Sequence, residues 1–154
     1  LVKNNYLDSK RNLSNYILKN KFYFITPLVI RLHTLYGIGY PPKNMFLGQI
    51  FNSLKNKTMF KMSDGNQKRQ YHHYNEVSSF LLNIVSSSKS NVKIIDFTGK
   101  EWIKLKDLAY SICNYFNCLD LLNIDSLKKP KNEIINTENK LITKSISRLN
   151  MSVK

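Results

Sequence analysis

Acidic residues are scarce in this sequence: 10 Asp and Glu stand against 24 Lys and Arg, a formal charge of +14. Such an excess fits a nucleic-acid partner, because neutralising phosphates releases counterions and favours binding. It also fits a Lys-, Asn- and Ile-rich composition spread over a solvated surface. The lysines favour the second reading, since Lys3, Lys19, Lys55, Lys89, Lys104 and Lys128 are scattered and form no block. That reading makes nucleic acid an unlikely partner and leaves room for a local basic pocket suited to phosphate-bearing small molecules. Long apolar runs are missing too. The longest candidate, FYFITPLVI (22–30), is interrupted by Thr26 and Pro27 and falls short of the ~20 residues that span a bilayer. Residues 1–15 are polar and mixed in charge, unlike a cleavable signal peptide. Cysteine is rare: Cys113 and Cys118 match neither a redox CxxC nor a zinc spacing. These absences describe a reduced, cytoplasmic protein without a membrane span.

What is present is a globular composition, 42% hydrophobic and 12% aromatic in 154 residues. That length suits one ordinary domain with a sizeable core. Residues 5–20 carry Leu7, Leu13, Tyr16 and Ile17 at roughly helical spacing, without Gly or Pro. PLVIRL (27–32) is a short continuous apolar run suited to a buried strand of a parallel sheet. TLYGIGYPPKN (34–44) supplies loop punctuation, and Met45, Phe46, Ile50, Phe51 and Leu54 predict a helix over 43–56. TMFKM (58–62) reads as a strand and SDGNQ (63–67) as a turn. A helix follows through Val77, Phe80, Leu81, Ile84 and Val85, with Asn75 as its cap and serines 86–88 as its end. NVKIIDFTG (91–99) reads as a β-branched strand, and KLKDLAYSICNYF (104–116) as an amphipathic helix. Beyond Leu122 only EII and KLITK read as strands. Strands alternating with helices give an α/β architecture.

Four segments carry a pattern in order: YLDSK (6–10), RLHTLYG (31–37), DGNQKRQYHHYNEV (64–77) and DFTGKEWIKLKDL (96–108). They are similar to the YxxxK helix, RxxNxYG strand end, GxxxRDxxxVDD turn and NxG…SxxEL segment of the extended short-chain dehydrogenase/reductases. Over residues 4–116 the chain resembles the C-terminal half of the nucleotide-sugar epimerase/dehydratase/reductase group. The resemblance implies the last part of a Rossmann-type parallel sheet (residues 1–37) and a smaller α/β substrate-binding region (38–154). It implies NAD or NADP as cofactor and a nucleotide-sugar as substrate, in deoxysugar or surface-polysaccharide synthesis. A homodimer through the helix of Tyr6 and Lys10 is implied as well.

By this resemblance Tyr6 passes a proton to or from the sugar while hydride moves at the nicotinamide. Lys10 lowers the Tyr pKa and bonds the nicotinamide ribose, and His33 lies near the nicotinamide. The energetics agree: moving a phenol from ~10 to ~7 needs ~4 kcal/mol. An ammonium ~4 Å away supplies about that at an effective dielectric near 20, and i,i+4 spacing puts both on one helix face. Arg69 matches the Arg that grips the diphosphate, a task suited to a guanidinium fork. Thr34 stands where relatives carry a substrate-touching Asn. His72 and His73 point to opposite faces of an extended segment and imply no metal. Asn75 and Glu76 replace two acids, and Trp102 packs at a sheet edge.

The family's Gly-rich turn and the Ser/Thr partner of the Tyr would both precede Leu1. One more helix usually follows the region matching 145–154. The resemblance therefore implies a chain that begins just before the catalytic helix and is inactive alone. An inactive remnant, or a basic interaction or nucleic-acid-binding module, is the alternative.

Overall fold

Uninterrupted helical spacing near the start produces helix α1, Asn5–Lys19, with Asp8 in its first turn and Lys19 in its last, the favourable order for the helix dipole. The computed structural model describes residues 5–20, 27–86 and 94–128. Helix α1 buries no residue completely. Its Leu7, Ile17 and Leu18 are half-covered, and it packs against strand β1, Val29–Leu32. Tyr6, Leu13 and Tyr16 are 64%, 59% and 63% exposed. No described helix is long and apolar enough to cross a membrane.

The apolar run of β1 pairs in parallel with β6, Ile94–Phe97, in the register Val29↔Ile94 to Leu32↔Phe97. Arg31 lies opposite Asp96, and their side chains meet at 3.5 Å. The parallel pairing agrees with the sequence reading, but the expected burial does not hold: no residue of β1 or β6 is buried, and Leu32 and Ile94 are 40% and 38% exposed. Immediately after His33 comes a second strand, β2 (Thr34–Tyr36), inside the segment expected to be loop. It exists because β5, Tyr71–His73, lies parallel beside it, Thr34↔Tyr71 to Tyr36↔His73. Tertiary pairing overrides the local loop signal there.

The loop proper starts at Gly37 and Gly39, with φ of +101° and +58°. A Cβ on Gly37 would run into the His73 imidazole, so this turn requires glycine for both reasons. Helix α2 (Phe46–Lys55) follows Pro41 and Pro42, and the Met45 N–H donates to the Pro42 carbonyl at 2.9 Å. Gly48 allows α2 to sit on this loop, because a Cβ there would overlap the Pro42 carbonyl. Strand β3 (Phe60–Lys61) and the short β4 (Lys68–Arg69) complete the segment before β5.

Helix α3, Tyr74–Ser86, begins one residue before Asn75. Asn75 is therefore not the cap: His73 Nδ1 accepts its N–H at 3.3 Å and takes the capping position. Glu76 keeps its expected place in the first turn. Strand β7 (Ile103–Lys104) pairs antiparallel with β4, and β8 (Leu122–Asn123) pairs parallel with β3. Between them lies helix α4, Leu105–Tyr115, close to the expected 104–116. The EII and KLITK segments, and the start of the 91–99 strand, lie outside the described residues.

The core forms where α2, α4 and β3 meet: Ile50, Phe60, Met62, Leu105, Ala109 and Cys113. Leu105, Ala109 and Cys113 recur every fourth residue and give α4 its buried stripe. The neighbouring Leu108 and Ile112 line a cavity, as does Leu105 itself, and Ile112 also packs against the core. Core and candidate site therefore adjoin and share Leu105, with Ile112 and Phe46 touching both.

Candidate functional site

A cavity of about 820 Å³ opens between the Gly37–Leu47 loop, the first turns of α2, the β4–β7 ribbon and α4. Alternation along 67–73 decides what enters it. Gln67, Arg69 and Tyr71 line the cavity, while Gln70 and His72 turn to the other side and are buried at 1% and 5% exposure. The Gln70 amide holds Gly99 by two bonds: its Nε2 donates to the Gly99 carbonyl at 2.8 Å, and its Oε1 accepts the Gly99 N–H at 3.1 Å. This clamp fixes the loop between β6 and β7 against the strand that presents Arg69.

Arg69 is the one charged residue of the lining among the described residues, and no carboxylate joins it. Its guanidinium donates to Gln67 Oε1 at 3.0 Å and to the Lys68 carbonyl at 3.3 Å. Neutral acceptors orient the fork without cancelling its charge, which leaves further N–H donors for an anion. Tyr36, Phe46, Tyr71 and Tyr74 add aromatic surface to the same lining. Burial pushes the Tyr71 phenol up to about 12, against the opposing pull of Arg69, so it is a neutral hydrogen-bond donor at physiological pH. An uncompensated guanidinium within aromatic walls can accept a ligand that is anionic in one part and planar or apolar in another.

Behind the cavity lies a histidine–aromatic cluster at the carboxyl ends of β1 and β6. His33 meets Trp102 edge-on at 5.2 Å and His72 at 6.0 Å. His72 contacts Phe97 at 4.8 Å, and Phe97 contacts Phe80 at 4.7 Å. His72 Nε2 is buried with no hydrogen-bond partner among the described residues. Burial lowers the pKa of both imidazoles from 6.5. For His33 the His72 charge and Arg69 add to the lowering and Asp96 opposes it; for His72 Glu76 opposes it. Both rings are therefore neutral in the folded chain at pH 7. Because the folded values lie below 6.5, the unfolded chain takes up these protons first. The stabilisation is complete above pH 6.5 and is lost as pH falls through the folded values. Thermal melts between pH 7.5 and 5 should show falling stability, with a shallower fall in His72→Phe; an unchanged slope in that variant would contradict the assignment.

Thr34 and Arg69 share the cavity lining. Tyr6 and Lys10 lie together on α1, the Lys10 Nζ 4.5 Å from the centre of the Tyr6 ring. The ammonium thus sits over the ring face of an exposed tyrosine. His33 belongs to the aromatic cluster, and neither it nor the α1 pair lines the cavity. Sequence reasoning missed Gln67, Tyr71 and Tyr74 as lining residues, although the period-two relation to Arg69 was available for the first two.

Solved structures identify the architecture. The NAD-dependent NDP-hexosamine 5,6-dehydratase TunA, involved in tunicamycin biosynthesis, superimposes with a TM-score of 0.70 and 16% identity, over 97% of this chain and 49% of its own. dTDP-glucose 4,6-dehydratase from Bacillus anthracis, solved with NAD, gives 0.70 and 14% over 94% and 46%. The dTDP-glucose 4,6-dehydratase DesIV from Streptomyces venezuelae, also with NAD bound, gives 0.67 and 11% over 83% and 38%. The chain has part of an extended short-chain dehydrogenase/reductase fold. It spans less than half the length of these enzymes. No protein-family model and no curated protein sequence matches it.

In such a fold a dinucleotide needs a strand, a glycine-rich turn and a helix N-terminus for its pyrophosphate. Among the described residues, the turn between β2 and α2 has Gly37 and Gly39 but Pro42 in the third glycine's place, and α3 and α4 follow strands directly and carry Glu76 and Asp107 in their first turns. These residues do not fit a whole dinucleotide.

Proposed function

We propose that this chain is the substrate-binding part of an NAD(P)-dependent nucleotide-sugar oxidoreductase, of the epimerase, dehydratase or reductase kind. The observation that carries the reading is the cavity with an unneutralised Arg69 among aromatic walls. Arg69 binds the diphosphate, the aromatic lining takes the planar and apolar parts, and Thr34 offers its hydroxyl to the sugar. Tyr6 exchanges the proton of a sugar hydroxyl or carbonyl, with the Lys10 ammonium beside it on α1. His33 stands toward the cofactor side. Residues 1–37 belong to the cofactor-binding unit and 38–154 to the substrate unit. The exposed Tyr6, Leu13 and Tyr16 face of α1 supports a homodimer through that helix. The setting is cytoplasmic synthesis of deoxysugars or surface polysaccharides.

Calorimetric titration with UDP- and dTDP-sugars tests the substrate class. Saturable binding is expected, and Arg69→Ala should weaken it about 10- to 100-fold, since a hydrogen bond to a charged group contributes roughly 1.5–3 kcal/mol. Equal affinity in the variant would remove Arg69 from the site. One observation favours a second reading: Tyr6 is 64% exposed and α1 buries no residue. A binding module without turnover would bind the nucleotide-sugar through Arg69 and leave it chemically unchanged.

A further inference from the structure

The sequence spacing of Cys113 and Cys118 matches no redox motif, yet the end of α4 brings the two thiols together. Asn117 adopts a left-handed conformation, φ +53°. The Cys118 N–H then donates to the Cys113 carbonyl at 2.9 Å, and the Asn117 N–H to the Asn114 carbonyl at 3.1 Å. This pair of bonds is a Schellman closure, in which the third-last helical residue and the second residue beyond the cap habitually touch. Those two positions are usually apolar; here both are cysteines. Cys118 Sγ also reaches the Cys113 carbonyl at 3.4 Å. The two differ in access: Cys113 is fully buried in the core, and Cys118 is partly exposed.

We propose that Cys113 and Cys118 form a thiol-oxidation site, closed to an intramolecular disulfide by a small-molecule disulfide such as oxidised glutathione. The Cys118 thiolate attacks one sulfur of the oxidant and expels one thiolate, forming a mixed disulfide. Cys113 then loses its proton and attacks the Cys118 sulfur, expelling the second thiolate. Two protein thiols are oxidised to one disulfide, and the disulfide oxidant is reduced to two thiols, which take up the two protons that the cysteines lose. Burial, then the Cys118 thiol and Asp120, push the Cys113 thiol up to about 11. The thiolate fraction limits the second step, which should quicken about tenfold per pH unit between pH 7 and 9. The site is independent of any role in nucleotide-sugar chemistry, since neither sulfur lines the cavity.

The test is to incubate the folded chain with oxidised glutathione and follow intact mass, free thiols and peptide maps. Loss of both thiols, a mass lower by two hydrogens and a Cys113–Cys118 peptide are expected. Cys113→Ala should stop at a persistent glutathione adduct on Cys118. Cys118→Ala should leave Cys113 unmodified until the chain is unfolded. A persistent adduct on the unsubstituted chain, a disulfide between chains, or no reaction of the folded chain would overturn the proposal. Equal reactivity of Cys113 in Cys118→Ala would overturn the order of attack.

Discussion

In a protein that joins this chain to a cofactor-binding half, Tyr6→Phe should lower kcat for nucleotide-sugar conversion by about 10²- to 10⁴-fold, the usual worth of a positioned acid/base, while leaving substrate affinity nearly unchanged. The substitution keeps the ring that Lys10 covers at 4.5 Å and removes the one atom that exchanges a proton. Binding depends on Arg69 and the aromatic walls, which lie elsewhere in the chain. A kcat equal to that of the unsubstituted protein would dismiss Tyr6 as the acid/base, whereas saturable binding with no turnover in either protein would leave the binding-module reading. A parallel loss of binding and turnover would instead point to a structural role for α1.

The second large effect concerns stability. Ile50→Ala should cost about 2–5 kcal/mol, because the removed methyl groups leave a cavity as well as losing burial. Ile50 is fully buried and packs in one cluster with Phe60, Met62, Leu105, Ala109 and Cys113. Its helix also forms part of the site, since Phe46 and Phe51 of α2 line the cavity. Urea unfolding should therefore show a lower midpoint with unchanged slope, and ligand affinity should fall with it. Ile50→Val, which removes one methyl, should cost only about 0.5–1.5 kcal/mol. Equal costs for the two substitutions would mean that this cluster is not the packed core.

Much of the framework was legible from periodicity alone. Helices α1 and α4 carry long apolar stripes without breakers, and both were located within about a residue or two, the usual uncertainty of helix ends. The apolar run 27–32 and the β-branched run 91–99 were both legible as strands, but their pairing with each other was not. Strand β2 was not legible, because Thr34–Tyr36 abuts Gly37 and becomes a strand only when Tyr71–His73 lies beside it. The cap of α3 was misplaced since a histidine imidazole does what the neighbouring Asn75 was expected to do. Sequence patterns could not show that Arg69 lacks a carboxylate partner, because that depends on which loops close the cavity. Nor could they show the orphaned His72 Nε2 or the contact between Cys113 and Cys118. Each arises from one local geometry, a strand buried on one side in the first case and a left-handed Asn117 in the second.

The low identity to NAD-dependent nucleotide-sugar dehydratases, 11–16%, places the weight of the functional reading on the cavity. A crystal structure of the chain bound to a UDP- or dTDP-sugar tests it most directly. The proposed function predicts diphosphate oxygens within about 3 Å of the Arg69 guanidinium, with the Thr34 hydroxyl on the sugar. A ligand bound away from the cavity, or one in the cavity that leaves Arg69 without a phosphate partner, would contradict it.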